Sequence, residues 1–268
     1  MKPSTGADTP SLATEIQSLC GAFLYGLLSA IGAKLFGVYL YGALAFPETG
    51  SIGDIDFHVL LSAPLNDEER IALIQLHTDL ARDYPPLGGE LDGYYLLLQD
   101  ARQEKSPSDQ RIVGLVDSSW ALHCAHIQAG RCIVLFGPDP VQIYPVPSCP
   151  ELELALQSEL DYMALNLERY PAYCILNLCR LMYSIETRDL VISKAGAACW
   201  AWERFPEWQP AIEAARRSYA GQATEQDERI MELTIRELKG LAYNISSPLA
   251  SPRLLLRHLP ALFQLRKI

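Results

Sequence analysis

Leu35-Phe36-Gly37-Val38-Tyr39-Leu40-Tyr41-Gly42-Ala43 and, twelve residues after Gly42, Asp54-Ile55-Asp56-Phe57-His58-Val59-Leu60-Leu61 decide the reading of this chain. Each is a short run dense in apolar, aromatic and β-branched residues, as buried strands are. The turn-rich segment Pro47 to Gly53 joins them. Strand period two puts Asp54 and Asp56 on one face. Two acidic residues on an exposed strand are commonly just solvated. In a buried strand unpaired charge is expensive, and a divalent cation is the simplest way to neutralise both. Carboxylates at this spacing suit Mg2+, a hard ion that prefers oxygen and bridges nucleotide phosphates. Gly42, at the end of the preceding strand, lets backbone N–H groups come close to such phosphates.

Working outward, Thr9-Pro10 offers a cap and a first-turn proline for a helix that runs to Ile31 and stops at Gly32. Its apolar stretch, Leu19 to Ala33, contains three glycines and lacks a basic leader and a cleavage site, so a core helix is expected and not a signal peptide or membrane span. Asn66-Asp67-Glu68-Glu69 starts a second helix that Pro85-Pro86 ends. A third strand is expected from Glu90 to Leu98, a loop over 100–111, a helix over 117–129 and a last strand from Arg131 to Phe136. Strands alternating with helices imply an α/β layer.

Prolines 138, 140, 145, 147 and 150 give the next stretch linker composition, which sets the domain boundary near residue 148. Beyond it, 151–169, 172–186, 194–204, 208–220, 224–243 and 251–265 all fit helices. The expected architecture is an α/β domain over 1–148, a mixed sheet with flanking helices, followed by an all-α bundle over 149–268.

Charge separates the two halves. Residues 1–150 carry 8 Lys and Arg against 17 Asp and Glu, giving −9, and residues 151–268 carry 14 against 15, giving −1. A net charge of −10 argues against a general nucleic-acid binder. Seven scattered cysteines without a C-x-x-C pair point to reduced, buried thiols and a cytoplasmic location.

The ordered pattern Tyr39-Leu40-Tyr41-Gly42-Ala43 followed by Asp54-Ile55-Asp56 resembles the G-S … D-x-D signature of the nucleotidyltransferase superfamily. The run from Tyr173 to Tyr183, then Thr187, Ser193-Lys194, Ala197-Ala198, Trp200-Ala201, Glu203-Arg204, Pro206 and Ala215 to Tyr219, looks like the helical domain of the aminoglycoside (streptomycin/spectinomycin) 3″-adenylyltransferases. Leu135-Phe136-Gly137-Pro138-Asp139-Pro140 matches the close of that family's first domain. The resemblance covers about residues 35 to 220.

It implies a Mg2+-dependent transfer of AMP from ATP to an acceptor hydroxyl, with Asp54 and Asp56 holding the metal. A third carboxylate from the following strand would be general base: Asp92, which could also bind metal, with Glu90 on the same strand face in reserve. Gly42, Ala43 and Ser51 would lie at the nucleotide, and Arg180, Lys194 and Tyr219 would reach its triphosphate. The family's motif serine is here Ala43, and the serine before its D-x-D is here Gly53, so two phosphate-contacting hydroxyls are missing.

Asp161, Glu168 and Trp120 are the acceptor-side candidates, Trp120 sharing its expected helix with His123 and His126. The expected partner is a small polar, cationic acceptor, met by a monomer without nucleic acid or membrane. Two rivals stand beside it: the same chemistry on another small-molecule or protein hydroxyl, and a catalytically weakened nucleotide binder.

Overall fold

The computed structural model describes residues 12–46, 53–103 and 119–245. Ser51, most of the Pro47–Gly53 loop, the Thr9-Pro10 cap and the helix expected over 251–265 lie outside them. Two compact units divide between Leu152 and Glu153.

The first unit runs α1 (Thr14–Ile31), β1 (Leu35–Leu40), β2 (Ile55–Leu61), α2 (Asp67–Asp83), β3 (Leu91–Leu97), α3 (Leu98–Ala101), α4 (Trp120–Gln128) and β4 (Ile133–Phe136). The four strands form one sheet in the order β3-β2-β1-β4. β1 lies antiparallel to β2 and to β4, whereas β2 and β3 are parallel. A parallel pair needs a crossover, and α2 supplies it. Asn66 starts α2 with a reciprocal cap: its side chain accepts from the Glu69 amide at 2.8 Å, and the Glu69 carboxylate accepts from the Asn66 amide at 2.7 Å. Lys34 donates to the same carboxylate at 2.6 Å, which ties the start of α2 to the approach to β1.

Strand alternation sorts the sheet's side chains between two cores. Val38, Leu40, Ile55, Phe57, Val59, Leu61 and Tyr95 meet the stripe Ile16, Leu19, Phe23, Leu27 and Ile31 of α1, together with Leu73 and Leu80 of α2. Among the described residues only α1 is long and apolar enough to cross a membrane, and that stripe packs in this core. On the other face Tyr39, Leu60 and Leu96 meet Trp120, Cys124 and Ile127 of α4, with Ile143 and Tyr144.

The second unit is helical: α5 (Cys149–Asn166), which begins before the division, then α6 (Pro171–Thr187), α7 (Lys194–Arg204), α8 (Gln209–Tyr219) and α9 (Glu225–Ile245). Helix α6 packs against α7, α8 and α9, and its buried Cys174, Ile175, Leu178, Cys179 and Met182 centre the core. All seven cysteines are free thiols, and two of them, Cys149 and Cys199, are exposed and not buried as expected. Burial pushes Cys124 and Cys179 up to about 12, so both stay protonated at neutral pH.

His77 of α2 lies against the Phe23 and Phe57 rings and pairs with the Tyr95 hydroxyl at 2.8 Å. Desolvation lowers its pKa to about 4, so the folded protein holds it neutral while the unfolded chain binds a proton near the ordinary value of about 6.5. Its contribution is complete above the unfolded value and is lost as pH falls from about 6.5 towards 4, up to ~3 kcal/mol in all. Thermal melts across that window should show the native chain losing stability more steeply than His77→Gln. Parallel profiles for the two proteins would remove His77 as the cause.

Candidate active site

The parallel pairing of β2 with β3 fixes the site's register. Asp56 and Asp92 are direct Cα partners, as are His58 and Tyr94 one layer further in. Neighbouring strands lie about 4.8 Å apart, so the two carboxylates emerge side by side from one sheet face. Asp54 precedes Asp56 by one strand period, just ahead of β2, half-buried like Asp56. Asp92 is exposed.

Gly42 completes this layer. The Tyr41 amide donates to the Asp56 carbonyl at 3.0 Å, which brings the end of β1 level with Asp56. The chain then turns at Gly42 with φ +66°, into a short 3-10 turn over Gly42–Ala45 that includes Ala43. A Cβ at residue 42 would overlap the Asp56 carboxylate. Glycine is therefore required twice, for the left-handed backbone and for the space that the carboxylate occupies.

Glu90 departs from expectation. The Leu87–Gly89 turn continues through it, with its amide donating to the Leu87 carbonyl at 3.0 Å and backbone angles of φ −103° and ψ 19°. β3 starts only at Leu91, so the alternation that would align Glu90 with Asp92 does not reach it. Its carbonyl accepts from the Ile55 amide at 2.8 Å, a backbone role in registering β3 on β2.

Beneath the carboxylates lies a layer of rings, of which sequence reading singled out only Trp120 and His123. His58 is fully buried, and its Nδ1 pairs with the Tyr144 hydroxyl at 3.1 Å. Tyr41, Trp120, His123 and Tyr94 surround it with ring centroids 4.4, 5.3, 5.5 and 5.7 Å away. Trp120 belongs to this core and not to an acceptor surface: it is 4% exposed, and its indole N–H donates to the Gln103 carbonyl at 3.0 Å. The alternation that carries Asp54 and Asp56 could have flagged His58; nothing in the local sequence could have flagged Tyr144, 86 residues away.

In the second unit Lys194 and Tyr219 come together. Ser193 caps α7 by accepting from the Gly196 amide at 2.9 Å, which places Lys194 at the first helical position. Its Nζ donates to the Tyr219 hydroxyl at 3.2 Å and lies 4.4 Å from the Tyr173 ring centroid and 5.2 Å from that of Tyr219. Two aromatic faces thus hold an ammonium that the α7 dipole would otherwise disfavour. Tyr173, Asn177 and Arg180 share one face of α6 at helical spacing. Buried Asn177 donates to Glu159 of α5 at 2.7 Å. Burial, then the Glu159 charge, raise the Tyr173 phenol, and Arg180 pulls it the other way.

Sequence reading picked Asp161 and Glu168 from this region and passed over Glu159. Asp161 is exposed and accepts from Gln157 on its own helix at 2.8 Å. Glu168 is exposed in the turn after α5 ends at Asn166, so the two do not form one helical face.

The fold is that of a solved spectinomycin adenyltransferase, AAD(9), from Enterococcus faecialis, whose crystal structure holds ATP and spectinomycin. The two are 20% identical, with a TM-score of 0.67 over 84% of this chain and 98% of that one. No curated protein sequence matches the chain. Residues 144–242, just over a third of the chain, match the family model for the aminoglycoside adenylyltransferase C-terminal domain, and that stretch is a domain of this family.

Proposed function

We propose that the chain transfers AMP from ATP to a hydroxyl of a small, polar, cationic acceptor of the aminoglycoside type and releases pyrophosphate. The observation that carries this reading is the layer in which Asp56 fills the space beside Gly42 and stands level with Asp92. A magnesium ion fits those residues. Among the described residues no group of three or more His, Cys, Asp or Glu could hold a metal by itself. Mg2+ does not need one, because it commonly takes one or two carboxylates and draws its remaining ligands from water and substrate phosphates. Of the three candidates Asp54, Asp56 and Asp92, the register partners Asp56 and Asp92 would hold it, and when bound it would supply positive charge to the phosphate oxygens.

The chain's own residues account for the rest. Asp92, the most exposed of the three carboxylates, draws the proton from the acceptor hydroxyl, worth ~10² to 10⁴ in rate. The acceptor oxygen then forms its bond to the α-phosphorus while the bond from that phosphorus to the bridging oxygen breaks. Arg180 and Lys194 neutralise the pyrophosphate as it departs, and Tyr219 sets the direction of the Lys194 ammonium. Glu159 is the carboxylate on the α6 side suited to meet a cationic acceptor, beside Tyr173. Ala43 and Gly53 offer no hydroxyl to the phosphates, which shifts that work to backbone amides.

Purified protein with Mg2+ and ATP, screened against a panel of aminoglycosides, aminocyclitols and other hydroxyl acceptors, should release pyrophosphate with at least one cationic member. ATP binding without pyrophosphate release across the panel would select a binding homologue instead. Asp56→Asn and Asp92→Asn should each lower turnover by at least about a hundredfold with an unchanged melting temperature. Activity within about threefold of the native value in both would end the carboxylate assignment. Gly42→Ala should be as damaging as Asp56→Asn, because its methyl group displaces the carboxylate, and it should also lower the melting temperature through strain at a positive φ. A Gly42→Ala protein of native stability and turnover would show that this glycine does not hold the site.

A further inference from the structure

The last turn of α8 ends on Tyr219, and helix ends fray because their final carbonyls lack partners within the helix. The chain then leaves through Gly221 at φ +69°. A phenol in such a place keeps a fixed position only if something outside the helix anchors the turn. Arg217 does so. Its Nε donates to Asp227 Oδ2 at 3.0 Å, its Nη2 donates to Asp227 Oδ1, and its Nη1 donates to Glu213 at 3.0 Å. Asp227 is 1% exposed and also accepts from the Thr224 amide at 2.9 Å and the Thr224 hydroxyl at 2.8 Å, at the start of α9. Residues two apart on a helix point about 200° apart. Arg217 therefore grips α9 on one side of α8 while Tyr219 meets Lys194 of α7 on the other.

We propose that Arg217 and Asp227 are a positioning pair for the nucleotide's triphosphate, locking the last turn of α8 so that Tyr219 holds the Lys194 ammonium in place. The proposal rests on the reading of Lys194 and Tyr219 as triphosphate contacts. The pair is an unusually firm anchor: the guanidinium, followed by the two Thr224 hydrogen bonds, holds the Asp227 carboxyl well below the usual carboxylate range. It stays ionised wherever the protein is folded at neutral pH. A bidentate guanidinium–carboxylate pair fixes orientation as well as distance, which a point charge would not.

The test is calorimetric titration of ATP with Mg2+ into the full chain, which needs no acceptor. Asp227→Asn should weaken binding about five- to tenfold. Arg217→Lys, which keeps the charge but loses the fork, should weaken it about two- to threefold and guards against a fold lost in the first variant. Ile235→Ala, which opens a cavity in the same helical core two turns along α9 from Asp227, should lower the melting temperature yet leave ATP affinity within about twofold. In a Tyr219→Phe background Asp227→Asn should have little further effect, because the group it positions is gone. Native affinity in Asp227→Asn and Arg217→Lys, an equal loss in Ile235→Ala, or full additivity with Tyr219→Phe would each overturn the proposal. If Lys194→Ala and Tyr219→Phe weaken binding while Asp227→Asn does not, the anchor alone falls. If Lys194→Ala and Tyr219→Phe are silent, the triphosphate reading falls and takes the anchor with it.

Discussion

The parallel register of β2 on β3 is the constraint on which the site depends. Shifting either strand by one residue would send its carboxylate to the opposite face, into the core of Phe57, Val59 and Leu61. Two features next to the carboxylates along the strands prevent the slip. The Ile55 amide is held by the Glu90 carbonyl before β3 begins, and a Cβ at residue 93 would overlap the Phe57 carbonyl, so only glycine lets β3 close on β2 beside Asp92. A residue chosen at sequence level for its acid thus matters to the structure for its carbonyl. Packing on the far face completes the lock, since the crossover helix α2 can bury Leu73 and Leu80 in one register only.

Much of this was legible because it is local. Period-two runs marked β1 and β2 to within a residue, Asn66 to Glu69 announced a capped helix through its own hydrogen-bonding chemistry, and the proline cluster separated strands from helices. Glu90 was misplaced because Gly88-Gly89 reads as a two-residue turn, whereas the turn presses on the end of α2, where a Cβ on Gly88 would meet the Leu80 carbonyl, and continues one residue further. That depends on where α2 ends in space. Trp120 was likewise ambiguous in sequence, since an indole lines cores and pockets alike, and only the distant Gln103 carbonyl shows which use applies.

Pairings distant in sequence form the other class of miss. Glu159 with Asn177, Tyr173 with Lys194, and Arg217 with Asp227 join residues of ordinary type on different helices. Helical periodicity tells which residues of one helix share a face but not which face of the next helix they meet. The family resemblance supplied Arg180, Lys194 and Tyr219 as separate points. The structure adds what lies between and behind them, a polar stripe on α6 and an anchored turn on α8, in a bundle whose core is otherwise mainly apolar.

These polar groups are costly to bury, and the way each is satisfied separates structural from functional use. Asn177, Asp227 and Ser193 have their hydrogen bonds met within the second unit and need no ligand to be stable. Lys194 differs, because a phenol oxygen and two ring faces orient an ammonium without neutralising it. The first unit presents the complementary case: Asp56 and Asp92 are like charges on adjacent strands, whose repulsion grows as water leaves. The same imbalance runs through the whole sequence: residues 1–150, which carry these aspartates, hold −9 of the net charge of −10, whereas residues 151–268 are nearly balanced.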